Sequence, residues 1–163
     1  MKSFLFGIAT FLFGLFVWLF CHDYNLHHIH YDQLRHTAEE ASVAAAMFTD
    51  TQSEKTGQII FNRVEGEKVV HAMLKTMLKT DDNLVPLGTS YWRDQIKYKA
   101  YYFDDSNTNY PEAFTDPDTG YEFMVQRPTV IITINAGKAR YTIDGIVDNA
   151  ENMRCAAHEW EYR

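Results

Sequence analysis

The chain has 163 residues, the size of one domain with one core, and 46% hydrophobic with 15% aromatic residues is more apolar surface than a disordered chain carries. Fifteen Lys and Arg stand against twenty-two Asp and Glu, for a net charge of −7. Without a basic run, that balance excludes a phosphate backbone as the expected partner, so no nucleic acid is assigned.

Phe4 to Cys21 is an uncharged run of eighteen residues dominated by Phe, Leu, Ile and Val. As a helix it would extend ~27 Å, close to the thickness of a bilayer's hydrocarbon core. A cleaved signal peptide is the competing reading, because Lys2 precedes the apolar run. Trp18, Leu19 and Phe20 are too large for a signal-peptidase site, however, and the expectation is a retained signal anchor over residues 1–21. Lys2 lies on the near side, while His22 and Asp23 open the far flank, which predicts a cytoplasmic amino terminus and an extracytoplasmic remainder. Gly7 and Gly14 are seven apart and share a helix face, where another helix can approach closely; as ordinary lipid-facing glycines they would do nothing.

No Pro or Gly follows Gly14 until Gly57, so the helix is expected to continue through residues 22–50. Tyr24, His27, Tyr31, Leu34, Ala38, Ala41, Ala45 and Phe48 repeat at 3-4 spacing and form one stripe, with Arg35, Glu39 and Glu40 off it. Two readings fit the stripe. It is the seam against the sheet of the same chain, or it adds contacts between subunits, in which case Gly7, Gly14, Tyr24, Tyr31, Leu34, Ala38, Ala41 and Ala45 are the assembly interface. His22, His27, His28, His30 and His36 crowd the same stretch. These side chains fan around a helix and do not converge as metal ligands must, so an interfacial collar with Tyr24 and Tyr31 is expected instead.

Residues 51–163 are expected to form an α+β domain. Thr51 to Gly57 reads as a turn, Gln58 to Val64 as a short run with strand character, and Glu65 to Thr80 as a second helix with Val69, Val70, Met73, Leu74, Met77 and Leu78 on one side. Asp81 to Gly88 ends it. Strands are predicted at Gln95 to Phe103, Tyr121 to Gln126 and Thr129 to Asn135. After a turn at Asn135 to Lys138, Ala139 to Val147 is expected to pair back as a hairpin, with a closing strand near His158 and Trp160.

Asp104, Asp105, Asn107, Asn109, Glu112, Asp116, Asp118 and Glu122 fill one interstrand region with oxygen donors. That is calcium's ligand type, and Asp104, Asp105, Asp116 and Asp118 are the candidate ligands, although the spacing is not that of an EF-hand. A solvated loop with Pro111, Pro117 and Gly120 accounts for the same residues. There is no phosphate-binding glycine loop, CxxC pair or nucleophile elbow, and His158-Glu159 lacks a second His, so no catalytic constellation is assigned. Cys21 and Cys155 are expected to be free thiols.

The Phe4 to Cys21 anchor, the uninterrupted Tyr31 to Phe48 helix and the β-rich remainder together resemble type IV pilin-like proteins, particularly the TadE-like minor pilins. The resemblance implies a non-enzymatic subunit whose first helix packs against those of other pilin-like subunits or stays in the membrane, with the outer domain facing the surroundings. Gly7 is followed by Ile8, and no acidic residue enters the apolar run, unlike the usual leader-processed pilins. A minor or pilus-associated role fits better than that of a major subunit. The alternatives from the residues alone are a tethered binding module that does not polymerise and a metal-dependent envelope enzyme.

Overall fold

The computed structural model describes residues 2–50, 55, 57–140 and 151–161, and shows an α+β arrangement. Helix α1 runs unbroken from Lys2–Ala46, as the absence of helix breakers requires, and does not bend into two pieces at Asp23. It ends where Met47 N–H and Phe48 N–H turn to the carbonyls of Ala44 and Ala45 at 3.4 and 3.3 Å. Helix α2 (Arg63–Met77) is capped by the Asn62 side chain, which accepts from Glu65 N–H, and it buries Gly66, Val70 and Leu74 at four-residue spacing. Gly66 is required by a close approach: a Cβ there would lie 2.7 Å from the Tyr102 hydroxyl oxygen.

Five strands follow: β1 (Lys97–Phe103), β2 (Glu112–Thr115), β3 (Glu122–Val125), β4 (Thr129–Asn135) and β5 (Met153–Glu159). β1, β4 and β5 form an antiparallel sheet in the order β1-β4-β5, with Ala100 opposite Ile132 and Ile132 opposite Ala156. The alternation in β4 sorts its side chains onto two covered faces. Val130, Ile132 and Ile134 join Leu34, Ala38, Ala41, Ala45, Val70 and Leu74 in the main core. The other face is roofed by the β2-β3 ribbon, where Phe114 packs on Tyr101 and Phe103 at ring distances of 4.8 and 5.4 Å. The layers are therefore helices, three-stranded sheet and two-stranded ribbon, and β4 is buried on both sides from Thr129 to Ile134 because it is the middle of all three.

The expected α+β layout with a second helix holds, and three details differ. Both edges of β4 are occupied by β1 and β5, so the strand returning beside it is Met153–Glu159 and not Ala139 to Val147. Ala139 makes an isolated bridge to Trp92, and residues 141–147 lie outside the described residues. The run around Ile59 is not a strand. Phe61 forms a single bridge with Thr49, while Ile59 and Phe61 themselves enter the core. Glu112–Thr115, which reads as loop, pairs as β2 with β3. Most of the expected turn at 51–57 lies outside the described residues, which there include only residue 55 and Gly57, at φ +76°.

Candidate anchor and assembly surface

The two halves of α1 have opposite surroundings. From Phe4 to Phe20 the large apolar side chains stand in the open, with Phe4 73% and Phe6 76% exposed. An exposed apolar surface of this size marks a contact with a membrane or a protein, and this part of α1 is long and apolar enough to cross a membrane. Around Gly7 and Gly14 nothing lies within 4 Å of where a Cβ would sit, so both faces are free for a neighbour. Trp18 stacks on His22 at 5.8 Å, putting an amphipathic ring pair at the end of the apolar run.

Above this point the helix enters the head. Leu34, Ala38, Ala41 and Ala45 are 0% exposed, packed into their own chain's core. Of the two readings of the stripe, the intramolecular seam describes these four residues. Tyr31 is half-buried beneath the Arg154 guanidinium, 3.8 Å above its ring, a cation–π contact that ties α1 to β5. Tyr24 is exposed and stacks on His28. The outer face of the upper half is charged, with Arg35 and Glu39 paired at 2.9 Å.

The histidines do not form one collar. His27 and His30 turn inward onto Tyr91: His30 stacks on its ring at 4.1 Å, and His27 Nδ1 is 3.2 Å from its hydroxyl. His28 and His36 face outward towards Asp32 and Glu39. Among the described residues no group of three or more His, Cys, Asp or Glu side chains is placed to hold a metal ion. Tyr91 was not a sequence candidate; its only signal is an aromatic pair, Tyr91-Trp92, in a polar stretch. Burial pushes its phenol up to about 12, so it stays a neutral partner. Asp23, two residues above Cys21, is buried as well, at 7% exposure.

Burial also lowers the pKa of His27, the largest cause, with Asp23 opposing and His28 and His30 reinforcing. The unfolded chain then takes up a proton that the folded head resists, so stability is intact above the ordinary histidine value of about 6.5 and declines as pH falls through it. The thermal midpoint of the full chain in detergent is expected to drop between pH 7 and 5, and to drop less in His27→Gln.

The acidic candidates are taken up by hydrogen bonds and an ion pair within the fold. Asp104, 0% exposed, accepts from Ser106 N–H and its hydroxyl, with Phe61 N–H at 3.4 Å. Asp105 accepts from Ile59 N–H, Asp116 from Thr119 N–H and hydroxyl, and Asp118 pairs with Lys99. The structure therefore does not bring Asp104, Asp105, Asp116 and Asp118 together as a calcium cage; their oxygens face hydrogen-bond donors. Cys21 and Cys155 are free thiols. Burial raises the Cys155 pKa to about 11 despite a hydrogen bond from Thr133, which keeps it a thiol at neutral pH.

Comparison with protein-family models, with curated proteins and with solved structures finds no match.

Proposed function

We propose that this chain is a single-span, pilin-like structural subunit of a bacterial surface pilus or transfer apparatus, holding its α+β head outside the cytoplasmic membrane. The observation that carries this reading is the division of one continuous helix: the same α1 that is sealed into the head above Leu34 is bare and apolar below Cys21. A rigid rod of this kind fixes the head relative to the bilayer and leaves its lower half as the surface for other subunits. Lys2 before the apolar run, with no Lys or Arg after it until Arg35, supports a cytoplasmic amino end. Because Leu34, Ala38, Ala41 and Ala45 are taken up within the chain, assembly falls to the segment carrying Gly7 and Gly14, with Tyr24 exposed above it. The same burial favours a second reading, a tethered module that binds an envelope partner without polymerising.

Cys21 separates the two. It stands seven residues after Gly14, as Gly14 does after Gly7, so all three share one helix face. With Cys155→Ser, Cys21 is the sole thiol, and oxidation in membranes is expected to give disulfide-linked dimers on a non-reducing gel. Gly14→Leu is expected to reduce them several-fold by forcing the helices apart. Monomer alone, both at Cys21 and at Trp18→Cys, Leu19→Cys and Phe20→Cys in a Cys21→Ser background, would select the tethered module.

A further inference from the structure

The lower end of the head is defined by where its elements converge. β1 begins at Lys97 opposite Asn135, which lies opposite Met153, and the last residue of α2, Met77, is reached by Gln33 of α1 at 2.7 Å. The loop from Leu78 to Ile96 crosses this end and delivers Tyr91 to His27 and His30.

Two observations fix what this end faces. Asp23 rises only ~3 Å beyond Cys21 on the helix, yet it is buried, so the head reaches down to the depth of the lipid headgroups, a layer ~5–7 Å thick. On the same end Val85 and Leu87 are 44% and 48% exposed on either side of buried Pro86. Alternation puts their side chains on one side of the segment. The segment is held firmly: Asp81 accepts from Asn83 N–H and Val85 N–H at 2.8 Å each, Leu87 N–H reaches the Lys79 carbonyl at 2.9 Å, and Arg140 donates to the Pro86 carbonyl.

Charge points the same way. In a chain of net charge −7, the described carboxylates of this end are held within the head: Asp23 is buried, Asp81 accepts in its turn, Asp82 pairs with Lys75, Asp94 with Arg93 and the Lys138 N–H, and Glu151 accepts from Asn135. Among the described residues no carboxylate comes within 4 Å of the Lys79, Lys97 or Lys138 ammonium, although the Lys138 charge is felt by Asp94. We infer that the underside of the head rests on the lipid surface, with Val85 and Leu87 as its apolar contact and Lys79, Lys97 and Lys138 meeting anionic headgroups. A modest tilt of the anchor, usual for single spans, brings this rim down. The inference rests on α1 being a membrane anchor, and the experiment separates the two.

The full chain, with Cys21→Ser and Cys155→Ser, carries a fluorophore at Leu87→Cys, at Met124→Cys on the far ribbon, or at Leu12→Cys in the anchor. Each is placed in nanodiscs of phosphatidylcholine and phosphatidylglycerol containing lipid spin-labelled on the headgroup or deep in the acyl chain. Headgroup label is expected to quench Leu87→Cys several-fold more than Met124→Cys, and less so in pure phosphatidylcholine. Equal quenching at Leu87 and Met124, with Leu12 quenched by the acyl label, overturns the lipid contact and leaves the anchor standing; that result would fit a protein partner for Val85 and Leu87. Leu12 untouched by the acyl label overturns both. Quenching at Leu87 that is the same in pure phosphatidylcholine removes the lysines from the contact.

Discussion

Asp104→Ala is expected to destabilise the head by about 2 kcal/mol, because it leaves the buried Phe61 N–H and the Ser106 N–H and hydroxyl without their acceptor. The carboxylate is fully enclosed, and it joins two segments that no strand connects. One oxygen accepts from the backbone N–H and hydroxyl of Ser106, shaping the turn after β1. The other lies 3.4 Å from Phe61 N–H and 3.8 Å from the Arg63 guanidinium, fixing the chain where it enters α2. Arg63 is half-exposed, so its ion pair adds little and the hydrogen bonds carry the effect. Asp104→Asn keeps the shape and one acceptor oxygen, and should lose less than half as much. Denaturant titration of the detergent-solubilised chain measures both. Calcium or a chelator is expected to leave the midpoint in place, since each oxygen already faces a donor; a calcium-dependent rise would restore the cation reading of this loop.

How far the sequence discloses this molecule depends on the range of the interaction concerned. α1 is legible because its determinants are local: no helix breaker after Gly14, and a 3-4 repeat that specifies one face. β4 is legible for the same reason, its alternation being visible in seven residues. The partner of β4 is not. Proximity in the chain favours a hairpin into Ala139, whereas the edge is taken by Met153–Glu159, a choice settled by which strand can also offer Ala156 and Arg154 to α1. β2 escapes notice because four residues between two prolines, with acidic neighbours, carry the marks of a loop; Phe114, packed beneath the ribbon, is its only apolar anchor. In the candidate site, spacing puts Gly7 and Gly14 on one face, but only the fold reveals that the alanines above them are already occupied. His27 and His30 look like surface residues until Tyr91, more than sixty positions away, is brought beneath them. In the acidic loop the carboxylates are close in sequence, yet their partners diverge: Asp116 turns to its own turn, Asp105 to Ile59 N–H, Asp118 to Lys99, and Asp104 both to its own turn and to Phe61 N–H.

Ala41→Leu is expected to destabilise the head by about 3 kcal/mol, the upper part of the range for an overpacked core, while Gly14→Leu leaves head stability unchanged. Ala41 is 0% exposed in the cluster that holds Ile132, Ile134 and Ala156, and small side chains at Ala38, Ala41 and Ala45 are what let α1 lie close on the sheet. A leucine has no space there, and the helix cannot yield at one turn alone: moving it off β4 and β5 also uncovers Leu34, Ala38 and Ala45. Gly14 has nothing within 4 Å and lies outside the head, so its substitution has no core to disturb. Denaturant midpoints and Cys21 crosslinking, measured on the same two variants, should therefore respond in opposite patterns. Ala41→Leu shifts the midpoint and, in the folded fraction, keeps the crosslink; Gly14→Leu keeps the midpoint and loses the crosslink. Loss of crosslinking in folded Ala41→Leu would mean that the upper half of α1 also meets other subunits, and that its packing against its own sheet is exchanged for theirs on assembly.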